Sequence, residues 1–340
     1  MKKLFFSMVA AIVAVTTTYA QGSLLATLSH EGDISVFYGS NALKSAVTAA
    51  ASGDVITLSS GQFNAVDITK NITLRGAGMD SHSEENRTPT IIQGDYCIDT
   101  HSADSSRLYI EGVYFQGSTK IVSKIDNATF LKCRLYNINV NSNCIINNTT
   151  FIHCKVFGII SMYNSTATFS NCIISTRFLP ANSVFENCNI FKVLSNPNST
   201  KDSGWGEVNN VSLFNCILFA TVYGQNASLP SSNNVYNCIR VENDASFFNS
   251  INNNTNKVNT TYSIFKYFKG EQWKDDTNFE LTDEAKANFL GIDGTEVGIY
   301  GGNMPFSTKP TNPQITKCNV AAKSTVDGKL SVDITVSGAE

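Results

Sequence analysis

The sequence predicts an all-β fold: a right-handed parallel β-helix with a short N-terminal helical cap and a small C-terminal β tail. Three observations predict it: a motif that recurs about every 20 residues, a strand-like alternation of apolar residues inside that motif, and a high asparagine content. Of the 340 residues, 37 are Asn. Asn tolerates the left-handed backbone conformation and hydrogen-bonds to nearby backbone, so an Asn-rich chain is typically rich in turns.

The motif places an apolar residue three positions before a cysteine and another two positions after it. Six copies are centred on Cys133, Cys154, Cys172, Cys188, Cys216 and Cys238. A seventh copy, Ile110 to Phe115, has Val113 in place of the cysteine. Successive copies are separated by 20, 21, 18, 16, 28 and 22 residues. Self-similarity at such a period is typical of a solenoid, in which each repeat packs on its neighbours.

The residue before the cysteine is predicted to form a bend. It is Asn in four copies and Gly in the seventh, whereas Lys132 and His153 depart from this pattern. Both Gly and Asn tolerate positive φ, and the flanking residues alternate with the two-residue period of a β-strand. Each copy therefore predicts two short strands joined at a bend, with Phe, Cys and aliphatic ladders spaced about 4.8 Å apart. Arg240 alone interrupts the aliphatic ladder.

Nine cysteines in an exported chain suggest a disulfide framework. The repeat favours a different interpretation, because stacked cysteines project in parallel and a disulfide needs Cβ atoms about 3.8 Å apart. We therefore interpret the six repeated cysteines as a structural ladder of small buried apolar residues. The disulfide framework is the less favoured alternative.

The chain is expected to divide into four parts. Residues 1–20 have the pattern of a signal peptide, with Lys2 and Lys3 before an apolar run and small residues before Gln21. Residues 21–52 form the lead-in and cap, residues 53–302 the β-helix with its closing segment, and residues 303–340 a Pro-containing linker and a C-terminal β-strand tail. The protein is thus expected in the periplasm, at the cell surface or outside the cell, without a transmembrane segment in the mature chain.

The segments Gly53-Asp54-Val55-Ile56, Gly61-Gln62-Phe63 and Ile72-Thr73-Leu74, followed by the repeats and the stretch Gly294 to Gly302, resemble the pectate-lyase-like superfamily of secreted bacterial β-helix proteins. The resemblance covers about residues 40–302. It implies the β-helix fold and a relation to polysaccharides. It does not select an activity, because this superfamily contains lyases, hydrolases, adhesins and inert scaffolds.

The candidate ligand-binding residues begin with Arg134 and Lys155, which follow the cysteines of adjacent repeats and are predicted to point outward. Two like charges about 4.8 Å apart repel unless an anion or a carboxylate lies beside them. With Lys132 and His153 at the matching bends, they suggest an anion-binding strip for an acidic glycan. The favoured alternative is a set of solvated charges with Asp or Glu partners.

Aromatic residues supply the other candidates. Tyr136 and Phe157 lie three residues after their cysteines, where an exposed row would stack on sugar rings and a buried row would fill space; burial is favoured. Trp205 lies in an inserted loop, either as a sugar contact or as an anchor of the loop. Carboxylates near His101 could suggest glycoside hydrolysis, but a polar loop is favoured; they are Asp95, Asp99 and Asp104.

Three functions compete. The first is a non-catalytic exported module that binds a polysaccharide or a cell-surface partner. The second is a polysaccharide lyase or glycoside hydrolase acting on acidic polysaccharide; no cofactor is expected, except that a lyase would use either Ca²⁺ or a second cationic side chain. The third is a structural or adhesin-like surface module. No catalytic residue is assigned, so an enzyme is the less favoured class. The scattered histidines predict no metal site, and a net charge of −3 predicts no nucleic-acid partner.

Overall fold

The chain folds as a parallel β-helix in its computed structural model, as the sequence predicts. The structure describes residues 24–81, 88–100, 106–162, 165–176, 179–193, 205, 208–222, 228–241, 246–253, 255–259, 261–270, 274, 276–311, 313–320, 323–329 and 331–337. The predicted signal peptide, His101 and Asp104 lie outside these residues. No described helix is long and apolar enough to cross a membrane.

Two long sheets, named A and B, form the solenoid, and strands are numbered along the chain. Sheet A contains β1 (Leu25–His30), β2 (Asp33–Tyr38), β3 (Val55–Leu58), β5 (Thr73–Arg75), β8 (Tyr109–Glu111), β11 (Thr129–Leu131), β14 (Thr149–Ile152), β16 (Ala167–Ser170), β18 (Val184–Glu186), β20 (Ser212–Phe214) and β22 (Asn234–Tyr236). Sheet B contains β4 (Gly61–Asn64), β6 (Thr90–Gln93), β7 (Tyr96–Ile98), β9 (Val113–Ile121), β12 (Arg134–Val140), β15 (Lys155–Ser161), β17 (Ile173–Thr176), β19 (Asn189–Val193), β21 (Ile217–Val222), β23 (Ile239–Val241) and β24 (Lys257–Asn259). Between them lies the short pair β10 (Ile125–Asp126) and β13 (Ile146–Asn147).

Each motif copy spans one strand of sheet A, a bend and the next strand of sheet B. The bend residue has positive φ in all seven copies, which confirms the predicted bend: Gly112 (64°), Lys132 (50°), His153 (52°), Asn171 (49°), Asn187 (52°), Asn215 (54°) and Asn237 (52°). Parallel pairing then places equivalent residues of successive coils side by side.

The predicted phenylalanine ladder runs through the interior. Phe130, Phe151, Phe169 and Phe185 are in register, and their side chains are buried. Successive rings are stacked with centroids 4.9, 4.6 and 4.8 Å apart. Stacking of this kind adds stabilisation beyond the burial of apolar area, and it holds adjacent coils in register.

The cysteine ladder is also confirmed as core. All six repeated cysteines are fully buried free thiols. Their Sγ atoms lie within hydrogen-bond distance of a carbonyl of the preceding coil, for example Cys154 Sγ at 3.3 Å from the Phe130 oxygen. Burial raises the pKa of the Cys133, Cys172 and Cys238 thiols. These cysteines therefore act as small apolar residues with a weak S–H donor.

The first coil is covered by helix α1 (Ala42–Ala49). Its Ala42, Leu43, Ala46 and Val47 side chains are buried against the core. Lys70 completes the helix C-terminus, because its Nζ donates to the Val47, Thr48 and Ala50 carbonyls. A cation at a helix C-terminus complements the helix dipole as well as the free carbonyls.

A second hydrophobic core lies on the outer face of sheet B, over its C-terminal coils. Phe191 and Phe219 stack with centroids 3.9 Å apart. They pack with Phe265, Phe268 and Phe279, near the 3₁₀ turn Tyr262–Ile264 and helix α2 (Asp283–Asn288). The side chain of Thr282 caps α2 by accepting from the Ala285 N–H. This layer covers the outer face from β17 onward and leaves the preceding coils outside it.

Residues 290–309, named here the closing strap, run back along the bends between the two sheets. Five bend side chains hydrogen-bond to strap backbone: Asn237 to Leu290, Asn215 to Ile292, Asn171 to Ile299 and Gly301, His153 to Met304, and Lys132 to Lys309. The Asn bends therefore have a second function beyond their conformation, since they hold the segment that closes the solenoid.

The C-terminal tail is a hairpin of β25 (Gln314–Val320) and β26 (Val332–Ser337), paired antiparallel. The turn contains Asp327 and Gly328, a residue pair typical of hairpin turns, with Gly328 at a φ of 76°. Val332, Ile334 and Val336 alternate along β26 and are all about half exposed.

Candidate functional site

A cleft of about 750 Å³ opens on the outer face of sheet B, where the second core ends. Its floor comes from β6, β9, β12, β15 and β17, and its walls from the loop before β6, the segment before α2 and the closing strap. The lining residues are Met79, Asp80, Ser81, Pro89, Ile91, Tyr114, Arg134, Lys155, Ile173, Asp276, Thr277, Asn278, Ile299, Tyr300, Phe306, Ser307, Thr308 and Lys309.

The predicted cations Arg134 and Lys155 both line this cleft, and they are in register on adjacent strands. Lys155 is not a solvated surface charge: its side chain is only 2% exposed, and Nζ lies 2.8 Å from Asp80 Oδ2. Asp80 thus supplies the carboxylate that two adjacent cations require. A buried pair of this kind is retained only with close geometry, because both ions lose their hydration.

Arg134 is held by aromatic rings. Its guanidinium carbon lies 4.3 Å from the centroid of Tyr114 on the preceding coil and 5.2 Å from that of Phe157 on the next. A guanidinium over an aromatic face is attracted by the ring quadrupole. This arrangement positions the guanidinium at the cleft floor, beside the Lys155–Asp80 pair.

The aromatic row that follows the cysteines is divided. Tyr136 and Phe157 stack with centroids 5.4 Å apart. Tyr136 is 39% exposed and Phe157 is half-buried, so this end of the row reaches solvent. Phe191 and Phe219 are buried beneath the second core. Both interpretations of the row therefore apply, each to a different group of coils.

His153 and Lys132 do not extend the cation strip. The His153 Nε2 lies 2.9 Å from the Met304 oxygen, and Lys132 Nζ donates to the Lys309 oxygen at 2.6 Å. Both side chains are buried. Burial lowers the pKa of His153, although the hydrogen bond to Met304 opposes this effect. Lys132 and His153 are the only two bend residues of the seven copies that are neither Asn nor Gly, so the sequence itself sets them apart.

Trp205 is placed in the core rather than on an exposed loop surface. Its side chain is 1% exposed, its Nε1 donates to the Phe219 oxygen at 3.1 Å, and its ring packs edge-on against Phe247. The indole also lies 5.9 Å from the guanidinium carbon of the buried Arg240. The Trp205 side chain is therefore buried and has no face available for a sugar.

Asp95 does not form a paired-carboxylate site with its neighbours in the described part of the chain. Its Oδ1 accepts from the Ser118 N–H at 2.9 Å, and its other oxygen pairs with Lys120 at 3.5 Å. The backbone hydrogen bond from Ser118 is the main cause that lowers the pKa of Asp95. The interpretation of this stretch as a polar loop is wrong for residues 96–98, because they form strand β7 and the Tyr96 and Ile98 side chains are buried.

Sequence reasoning missed several cleft residues, namely Asp80, Tyr114, Asp276 and Lys309. Tyr114 has, in the seventh motif copy, the position that Arg134 and Lys155 have in the next two copies, so the repeat could have identified it. Asp80, Asp276 and Lys309 come from segments far apart in the chain, and no repeat pattern marks them. The lining contains three cations and two carboxylates, so its formal charge is weakly positive. In the described residues, no group of three or more His, Cys, Asp or Glu side chains is arranged to hold a metal ion.

In comparisons with known proteins, no family model matches the chain, and no curated protein and no solved structure matches it.

Proposed function

We propose that this protein is an exported β-helix that binds a glycan chain in the cleft on sheet B without cleaving it. The observation that carries the proposal is the cleft itself, a concave site of about 750 Å³ with apolar, aromatic and paired polar groups. Ligand sites are typically clefts of about 300–1,000 Å³ with a few well-placed polar groups in an apolar lining.

The chemistry of the lining suits a sugar. A pyranose offers apolar C–H faces together with hydroxyl groups that both donate and accept hydrogen bonds. Tyr114 and Tyr300 offer apolar surface in the cleft, while Arg134 and Lys155 bring donors and Asp80 brings acceptors. The half-exposed Tyr136 continues the surface along β12. The resemblance to the pectate-lyase-like superfamily and the signal-peptide pattern support an extracytoplasmic glycan partner.

The rigidity of the floor supports binding as well. The cleft floor is made of hydrogen-bonded strands, and Arg134 is held between two aromatic rings. Side chains held in this way lose little conformational entropy when a ligand arrives.

One observation favours a second candidate, a polysaccharide lyase acting on acidic polysaccharide. Arg134 and Lys155 lie together in the cleft, and such chemistry needs a base and a cation near the uronate group. Lys155 is, however, engaged with Asp80 at 2.8 Å. Binding without cleavage is therefore the better supported proposal.

Affinity electrophoresis in gels that contain neutral or acidic polysaccharides tests the proposal. We expect the wild-type protein to be retarded by at least one of them, and Arg134→Ala to weaken retardation about tenfold or more. Lys120→Ala, which removes an exposed cation on the same sheet, is the matched control and should migrate like wild type.

Ultraviolet absorbance measured during incubation with acidic polysaccharides separates the two candidates, because a lyase generates an unsaturated product. Rising absorbance would establish the lyase instead of the binder. Retardation unchanged by Arg134→Ala, or no retardation by any polysaccharide, would refute binding at this cleft.

A further inference from the structure

One carboxylate oxygen of Asp80 has no partner in the part of the chain that the structure describes. Oδ2 pairs with Lys155, whereas Oδ1 is buried and has no hydrogen-bond partner among the described residues. The side chain is only 9% exposed, and it lines the cleft. A buried acceptor without a donor is unfavourable, and native structures rarely retain one without a reason.

The position of Asp80 is set by firm anchors on both sides of the loop that carries it. The Gly78 N–H donates to the Gly112 oxygen at 2.9 Å, and the Thr90 N–H donates to the Gly78 oxygen at 3.0 Å. Met79, the residue before Asp80, is 1% exposed. Gly78 itself has a φ of 135°, a conformation that suits glycine. The loop therefore holds the carboxylate against the cleft, where Lys155 fixes its orientation.

We infer that Asp80 is a ligand-recognition residue whose Oδ1 accepts a hydrogen bond from a neutral donor on the bound glycan, either a sugar hydroxyl or an amide N–H. This inference rests on the proposed glycan-binding function and gives it a specificity. A uronate carboxylate at this point would meet a second carboxylate and be repelled. The subsite beside Lys155 thus takes a neutral, donor-bearing sugar, and any acidic group of the ligand lies nearer Arg134.

Asp80→Asn replaces the unpartnered acceptor oxygen with a hydrogen-bond donor. Lys155 Nζ is a donor, so the Asn oxygen turns toward it and the amide NH₂ takes the place of Oδ1. For a neutral probe, xylohexaose, we expect binding about tenfold weaker or more than in wild type. For an acidic probe, a galacturonic acid hexamer, we expect unchanged or tighter binding, because one negative charge has been removed.

Asp283→Asn is the matched control, since it removes the same charge from an exposed carboxylate that does not line the cleft. We expect it to change xylohexaose binding by less than about twofold. Isothermal titration calorimetry measures both variants, and thermal unfolding reports whether Asp80→Asn keeps its fold without the buried charge pair.

Monodeoxy xylohexaoses, which each lack one hydroxyl group, test the same hydrogen bond by changing the ligand and leaving the protein unaltered. One of these analogues should bind wild type about tenfold more weakly than the parent sugar, and Asp80→Asn should bind both equally. The inference would be overturned if a folded Asp80→Asn bound xylohexaose as tightly as wild type does. It would also be overturned if every monodeoxy analogue bound wild type as tightly as xylohexaose does. Neither result would overturn the proposed glycan binding. No binding of any glycan by wild type would overturn the proposed function and the inference with it.

Discussion

Replacement of Asn171 separates the two functions of a bend residue. Asn171 has a φ of 49° and its side chain is 3% exposed. Its Nδ2 donates to the Ile299 and Gly301 carbonyls at 2.9 and 2.8 Å. Asn171→Gly removes both hydrogen bonds, but glycine adopts the left-handed conformation without strain. Asn171→Ala removes the same bonds and adds backbone strain.

The magnitudes follow from these contacts. Each lost hydrogen bond costs about 1 kcal/mol, so Asn171→Gly is expected to lower the free energy of unfolding by about 2 kcal/mol. A left-handed Ala adds about 1 kcal/mol, so Asn171→Ala is expected to lose about 3 kcal/mol. Strap amides near Ile299 and Gly301 should exchange faster in both variants, because their anchor is gone.

Urea unfolding measures the free energy of unfolding, and hydrogen exchange resolved by residue measures the exchange rates of the strap amides. Exchange is needed because a solenoid can unfold in stages, and then one global free energy is not defined. Equal stability of the Gly and Ala variants would refute the strain argument. Wild-type stability and exchange in Asn171→Gly would refute the anchoring of the strap by the Asn bends.

Three further predictions concern stability and reactivity. Asn189→Val is expected to raise the free energy of unfolding by about 1 kcal/mol, because both polar atoms of this fully buried side chain lack a partner among the described residues; a lower thermal midpoint would contradict this. The six ladder thiols should resist an aromatic disulfide reagent until the protein unfolds, since burial excludes the reagent; rapid labelling of Cys172 in the native protein, located by mass spectrometry, would disprove it. The hydrogen bond to Asp54 raises the pKa of His30. Burial alone would raise the pKa of Asp54, but the bonds from Ala51 and His30 bring it below its ordinary value. The stabilisation from His30 is lost as pH rises above about 6.5, and that from Asp54 is lost as pH falls below about 4, so hydrogen exchange at the β1–β2 hairpin should be slowest, after correction for intrinsic rates, between these values. A protection profile that His30→Gln leaves unchanged would exclude this pair as the cause.

Local features were predictable because their causes are local. The alternation of Phe130, Cys133 and Leu135 sets which side chains point inward, and Asn171 prefers the backbone conformation that a sharp bend needs. Repetition of these preferences in register then determines the ladders. The outward direction of Arg134 and the need for a carboxylate beside Lys155 follow from the same alternation and from Coulomb repulsion.

The sequence alone therefore determined the parallel β-helix, its bends and its buried cysteines. Only the tertiary structure decided which side chains share a site. Asp80 reaches Lys155 across 75 residues of chain, and Lys309 reaches Lys132 across 177. Trp205 lies in the core, where its Nε1 donates to the Phe219 oxygen of another coil. Contacts between distant segments depend on how loops of irregular length return to the solenoid, and residue preferences carry no information about that return.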